Sequence, residues 1–428
     1  MKFCWLFLHK MKKFPFLILS CLLFSWCAFC QPVYNARILS WNVLHYPDPS
    51  STTSDTSQRN PYFREIIQYI NPDIFMVTEL ATANAYLHFL NYVMNASGAG
   101  MYSAGTFING PDTDNAIYYR TNDFQFISNT PIKTALRDIS EFKLVHIATG
   151  DTIRIYGCHL KASSGPANEA ARAAEADSLR KVTNALSGGT DFIVCGDFNI
   201  YGDYEQAYIK LMQDNVTDDG NFIDVLNLPG VWNQPAYSLH HTQSTRFTSV
   251  GGGAPGGMND RFDMMHFSNA VMQPGRITYI PNSFTNPGND GMHYNQSINV
   301  MPNTAVPQNI ADALYYASDH LPVYADFEFS TPTSVSEFTS EIPAPEIFPV
   351  PFSDWIFVKY FSSSGRQISI RLRKITGEII LESVFLITKS GYHPASFNEV
   401  RFLNPGIYFL EFISGDYFFR KKILKTQE

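Results

Sequence analysis

The residues predict an α+β protein, a four-layer α/β/β/α sandwich followed by a small all-β sandwich. Three observations point there. Apolar strand patterns outnumber helical ones as far as residue 330, hairpin-like spacings recur among them, and residues 346–428 read as short strands and turns alone. Two sheets that bury one face on each other and the second face under helices satisfy such a pattern. At 428 residues the chain exceeds one average domain, which also calls for two units.

The chain opens on a targeting pattern. Lys12-Lys13 precede an apolar run from Phe14 to Phe24, and Ala28-Phe29-Cys30 stand before Gln31, so residues 1–30 read as a signal peptide, with Met11 as an alternative start. A membrane anchor is the competing reading, but the run is shorter than the ~20 apolar residues a spanning helix needs. A lipid anchor through Cys21 or Cys27 lacks a small-residue box around either.

Strand and helix signals then alternate. Ala36 to Asn42 reads as a strand ending on an amide, Tyr62 to Ile70 as a helix stopped by Asn71-Pro72-Asp73, and Ile74 to Glu79 as a buried strand ending on a carboxylate. A helix follows over Asn84–Met94. Strands are expected at 115–120, 142–148 and 152–160 from their β-branched and aromatic content. The longest helix spans Ala167–Leu186, closed by Gly188-Gly189, and Phe192 to Cys195 is a strand. Residues 246–312 are loop-rich. Their glycine run, 251–257, lacks the Lys-Ser/Thr and following helix of a phosphate-cradling loop and reads as a rim loop. One strand-like run, Arg261–Phe267, lies inside them. Residues 331–345 form a Ser/Thr/Pro/Glu-rich linker.

Composition narrows the class. Aromatic residues make up 14% and charged residues 16%, which excludes disorder and suits a secreted or surface protein with large cores. Residues 31–330 hold 16 Lys+Arg against 29 Asp+Glu, a net −13, whereas 331–428 hold 11 against 10. A unit at −13 lacks the broad basic footprint of a tight duplex-DNA binder, so any phosphate contact there must be local and cation-assisted. Beyond the leader only Cys158 and Cys195 remain, both in apolar strand patterns and read as buried free thiols. A disulfide between neighbouring strands and a metal pair are the weaker alternatives.

Chemistry collects where strands end. Gly196-Asp197-Phe198-Asn199 and Ser318-Asp319-His320 each read as the polar cluster of a short apolar strand, and both sets suit a divalent cation and a phosphate better than a core. Glu79, closing a six-residue apolar strand, is a metal ligand by this reasoning, with Asn42 beside it. Asp197 is placed to orient or deprotonate an attacking water, and Asn199 to donate to a phosphate oxygen. Lys161 and Arg120 would add positive charge at the rim as substrate-binding residues. His45, His240, His241 and His293 sit in loops without a partner at ligand spacing and receive no role.

Taken together, Trp41-Asn42, Thr78-Glu79-Leu80, Gly157-Cys158-His159-Leu160-Lys161, Gly196 to Asn199, Arg261-Phe262-Asp263 and Ser318 to Val323 resemble the endonuclease/exonuclease/phosphatase superfamily over about residues 36–329. The resemblance implies Asn42, Glu79 and Asp319 on the metal side. It implies His159 and His320 as imidazoles on the scissile phosphate, and Asp263 as the acceptor that fixes the tautomer of His320. It also implies Mg²⁺, with Mn²⁺ or Ca²⁺ as alternatives, and a nucleic acid or other phosphodiester substrate. The Trp before Gly-Asp and the Pro-Ala-Trp-x-Asp-Arg run of the phosphoinositide phosphatases are absent. A sphingomyelinase-like enzyme and a catalytically silent binding protein on the same scaffold are the alternatives to a secreted nuclease. Residues 346–428 are similar to the type A sorting domain of the Bacteroidetes type IX secretion system, through Phe348-Pro349-Val350-Pro351, Thr376-Gly377-Glu378, Pro405 to Phe409 and Lys421-Lys422-Ile423. Val350 departs from the usual Asn there, and an Ig-like substrate-binding module is the alternative. The implied partner is that secretion machinery, the location the cell surface or medium, and the expected state a monomer.

Overall fold

The computed structural model describes residues 32–47, 58–330 (except 99, 216 and 217) and 345–427 (except 363, 376, 377, 415 and 416). The signal-peptide reading, all of the expected linker but residue 345, and the Thr376-Gly377 turn lie outside the described residues.

The chain begins with β1 (Val33–Tyr46), α1 (Asn60–Ile70), β2 (Ile74–Leu80), α2 (Ala85–Phe89), β3 (Tyr102–Ala104), β4 (Asp114–Arg120) and β5 (Phe124–Ile132). It continues through β6 (Ile139–His146), β7 (Thr152–His159), α3 (Pro166–Thr183), β8 (Phe192–Asp197) and α4 (Gln206–Met212). The unit closes with β9 (Asp263–Phe267), β10 (Ile277–Tyr279), α5 (Gln308–Ala317) and β11 (Val323–Ser330). One sheet has the order β10-β11-β1-β2-β4-β3 and the other β5-β6-β7-β8-β9.

Three cores account for the four layers. Between the sheets, Ile38, Met76 and Ile117 meet Phe142, Ile155 and Cys195. The outer face of the first sheet, with Trp41, Phe75 and Val77, is covered by α1 and α5. The outer face of the second, with Tyr156, Cys158 and Val194, is covered by α3 and α4. α1 shows why it packs as it does: Phe63, Ile66, Ile67 and Ile70 fall on one face, Pro61 sits in its first turn, and Asn71 in the left-handed region ends it. Burying each such side chain contributes ~1.5–3 kcal/mol.

Several elements differ from the sequence reading. The helix expected over 84–94 is α2 followed by a π-turn at Leu90–Met94, which lets Val93 and Met94 reach the core. β5 is an edge strand of mixed exposure, and α4 and α5 are short helices of 7 and 10 residues, so their periodicities give little signal.

Residues 345–427 form two further sheets. β12 (Glu346–Phe348), β13 (Ile356–Ser362) and β16 (Gly391–Phe397) make one. β14 (Gln367–Lys374), β15 (Ile379–Leu386), β17 (Gly406–Ser414) and β18 (Tyr417–Lys425) make the other. Alternate residues of β13 and β14, among them Val358, Tyr360, Ile368 and Ile370, fill a core between them.

Candidate active site

Strand pairing brings the polar residues to one mouth between the two large sheets. β7 and β8 run parallel with His159 opposite Asp197, and β8 and β9 run antiparallel with Asp197 opposite Asp263. On the facing sheet β1 and β2 run parallel, with Asn42 opposite Thr78. The register then shifts between Asn42 and Tyr46, a bulge of the kind that re-aims side chains beside active sites. The residues just before β11 bring Asp319 and His320 alongside, because β11 pairs antiparallel with β1 and its first residue, Val323, lies opposite Ser40. The Trp41 indole N–H donates to the His320 carbonyl and the Ser318 hydroxyl to the Asn42 carbonyl, which ties the two segments together.

Glycine is required where the strands pinch. Gly196 has φ 140°, and a Cβ there would lie 1.9 Å from the Cys158 carbonyl oxygen. Only a residue without a side chain lets β8 approach β7 so closely just before Asp197.

His320 Nδ1 lies 2.7 Å from Asp263 Oδ2, while Phe262 and Asp263 both donate their backbone N–H to Thr242 Oγ1. His320 Nε2 faces the Gln243 side-chain amide at 2.6 Å and Asp197 Oδ2 at 3.7 Å. Asn199 N–H donates to Asp197 Oδ1, and the Asn199 amide donates to the Leu160 carbonyl. Glu79 Oε1, His159 Nε2 and Asp197 Oδ2 form a compact trio: the imidazole stands 3.8 Å from the first oxygen and 3.5 Å from the second. Ligand atoms of these three residues all lie within 4.8 Å of one another.

Burial sets the electrostatics. It raises the carboxyl of Asp197 to about 6, with Asp263 adding and His320 and Asn42 opposing, and it raises Glu79 and Asp263 as well. His159 is held well below the ordinary imidazole value by burial and then by the nearby Arg137. Burial works against protonation of His320, but Asp263, Asp197 and Asp319 outweigh it and hold its value well above normal.

A divalent cation fits this place. Four carboxylates converge with few fixed cations, and burial disfavours protonation of His159, as suits a ligand. Buried Asp319 Oδ1 and Asp263 Oδ1 lack any hydrogen-bond partner among the described residues. Such orphaned carboxylate oxygens are costly unless something charged answers them.

The structure thus gathers His159, Asp197, Asn199, Asp263, His320, Asn42, Glu79 and Asp319, but with some different neighbours. Of the three expected metal ligands only Glu79 belongs to the trio. Asn42 turns its amide nitrogen to Glu79 and Asp197, at 2.8 and 3.1 Å, while its oxygen accepts from Leu44 N–H. It therefore orders the carboxylates rather than presenting an oxygen. Asp319 Oδ2 accepts from Ala254 N–H of the glycine-rich loop, which places that loop against the site. Lys161 folds its ammonium onto the Ala162 carbonyl. Arg120 is a correction: it pairs with Asp73 and Asn71 at the opposite end of β2 from Glu79, because the antiparallel β4 carries it there.

Three residues without an assigned role join the site. Gln243 faces His320 and Asp319, Arg137 donates to the carbonyls of His159 and Leu160, and His45 stands against Glu79. No sequence signal marks Gln243 or Arg137, since chain folding alone brings them in. His45 lies three residues after Asn42, the one available hint.

Sheet order, layers and mouth define a phosphoester-hydrolase scaffold, and comparison agrees. Residues 39–359 match the Endonuclease/Exonuclease/phosphatase family, so the chain belongs to that family; the match extends past β11 into β13. Members are hydrolases acting on phosphoester bonds and use divalent metals. Similar solved structures include the human Nocturnin catalytic domain with bound sulfate anion, at 17% identity over 70% of this chain and 98% of that one, TM-score 0.44. Truncated Caenorhabditis elegans TDP2 is 18% identical over 69% and 98%, TM-score 0.45. An endonuclease/exonuclease/phosphatase family protein from Bacteroides thetaiotaomicron is 15% identical over 70% and 99%, TM-score 0.44. No curated protein matches the sequence.

Proposed function

We propose that the chain is a secreted, divalent-cation-dependent phosphodiester hydrolase that acts on nucleic acid outside the cell. The observation that carries this reading is the Glu79–His159–Asp197 trio set beside the buried His320–Asp263 pair. A bound cation, Mg²⁺ by the resemblance, supplies positive charge against the phosphate oxygens. It would be held by Glu79, Asp197 and His159, with Asp319 nearby.

The protein's own groups do the rest. Asp197, kept in place by Asn42 and the Asn199 N–H, accepts a proton from the attacking water. His320, whose other nitrogen is engaged by Asp263, donates to the phosphate as charge builds there. Nucleic acid is preferred over phosphoinositides because Val194-Cys195, not Trp, precede Gly196, and nothing like Pro-Ala-Trp precedes Asp260-Arg261. The β-sandwich of residues 346–428 is read as the signal for type IX export.

Hydrolysis of a bis-aryl phosphodiester with Mg²⁺ and with chelator tests the chemistry, and absence of metal-dependent turnover refutes it. Parallel assays on single-stranded DNA, plasmid, RNA and sphingomyelin test the substrate: nicking without lipid cleavage is expected. Deleting residues 346–428 should retain the protein in the periplasm without harming hydrolysis, and undiminished export would refute the sorting role.

A further inference from the structure

Gln243 reaches His320 and Asp319 from a separate segment of chain. Its amide nitrogen lies 2.6 Å from His320 Nε2 and 3.4 Å from Asp319 Oδ2. Asp263 engages the other ring nitrogen, Nδ1, so Nε2 is the one left for a substrate. Gln243 therefore stands at the working tip of the imidazole.

The backbone holds it there from two sides. Gln243 N–H donates to the Asp260 carbonyl at 3.1 Å, and Asp260 N–H returns the contact at 2.9 Å. Thr242 accepts the Leu321 N–H on its carbonyl at 2.7 Å, and those of Phe262 and Asp263 on its hydroxyl. Thr245 donates its N–H to the Asp319 carbonyl and its hydroxyl to the Ser318 carbonyl. Thr242, Ser244 and Thr245 are buried, whereas Gln243 keeps partial exposure. A segment bonded to both loops that deliver Asp263 and His320 fixes its own side chain alongside theirs.

A primary amide suits this position. With two N–H donors and one acceptor it can meet Nε2 in either protonation state and still offer an N–H to a second group. Asn42 Nδ2 stands 3.5 Å from the same Nε2. Amide and imidazole nitrogens from three segments thus crowd one point, an arrangement that stabilises charge building on an oxygen. A phosphoryl oxygen accepting from Nε2 at ~2.8 Å can lie within reach of the Gln243 amide as well.

We propose that Gln243 is a substrate-contacting residue whose amide donates to a non-bridging phosphoryl oxygen beside His320. The proposal deepens the hydrolase reading and rests on it for the identity of the anion. Sulfur accepts hydrogen bonds more weakly than oxygen, so sulfur placed at that oxygen reports the contact. Hydrolysis of a bis-aryl phosphodiester, and of the two enantiomers of a chiral bis-aryl phosphorothioate, is measured for the full chain, Gln243→Met and Gln243→Glu. The first variant keeps the length without the donors, and the second sets a carboxylate against the phosphate.

Both variants are expected to lose about 100-fold in kcat. Their preference between the enantiomers should shift by about tenfold, because only one enantiomer turns its sulfur to the amide. A merely structural role slows both enantiomers alike, and a ratio is read equally well from a partly folded variant. An unchanged preference in both variants removes Gln243 from the substrate and leaves the hydrolase standing. If the unaltered chain hydrolyses none of these esters, the hydrolase reading fails, and calorimetry with inorganic phosphate and Mg²⁺ decides the contact. Affinity about tenfold weaker in Gln243→Met then keeps it. Equal affinity, or no phosphate binding by the unaltered chain, overturns it.

Discussion

His320 and Asp263 are joined by a 2.7 Å contact between Nδ1 and Oδ2, with 4% and 1% of the two side chains exposed. Asp263 thereby fixes which nitrogen of the ring faces Asp197. Asp263→Asn should lower hydrolysis ~10–100-fold, as loss of such an orienting partner does elsewhere. It should also alter the pH dependence of folding. A histidine whose folded value is raised contributes stability that is full below about pH 6.5 and lost as pH climbs through the folded value. Denaturant midpoints of the chelator-treated protein, measured across pH, should show that decline, and the variant should show a shallower one.

Metal affinity should fall on acidification. Burial lifts Asp197 to about 6 and also raises Glu79, so below pH 6 protons compete with the cation for both. Calorimetry in buffers of different ionisation enthalpy should record proton release on binding near pH 6 that shrinks by pH 8. A pH-independent affinity would remove these two residues from the ligand set.

Arg120→Ala should leave hydrolysis within about twofold of normal, because the guanidinium belongs to Asp73 and Asn71 away from the mouth. Arg137→Ala is expected to lower it by about tenfold or more, since the strand end bearing His159 loses its two carbonyl contacts. Steady-state rates on one soluble phosphodiester decide both.

Arg172 and Glu205 form an ion pair with neither side chain exposed, and Arg172 also donates to the carbonyls of Lys161 and Ser163. Arg172→Met leaves the Glu205 charge buried and should cost ~3–5 kcal/mol in chemical denaturation. The double substitution with Glu205→Leu should recover much of that loss.

Strands β2, β7 and β8 were legible because each is a short apolar run with a polar group at its end, whereas Asp263 opens β9 and Asp319 and His320 lie between α5 and β11, where no strand precedes them. What sequence could not give was who faces whom. Asp197, Asp263 and Asp319 look alike as carboxylates near strand ends, and only the register of β7, β8 and β9 sets His159 and Asp263 on either side of Asp197. Asn42 was expected beside Glu79 and is there, yet which amide atom points inward depends on the Leu44 N–H. Gln243 and Arg137 arrive from loops about a hundred residues apart, and nothing local marks them. Arg120 illustrates the opposite failure, a cation near the right strands but at their far end.

Cys158 and Cys195 stand on adjacent strands yet pack into different cores, one beneath α3 and the other between the sheets. Burial raises both sulfhydryls, Cys195 to about 12 and Cys158 well above its ordinary value. Side chains on opposite faces of a sheet cannot meet without turning a strand over. Among the described residues the fold thus holds together without a covalent cross-link, and a change of redox conditions leaves its architecture untouched.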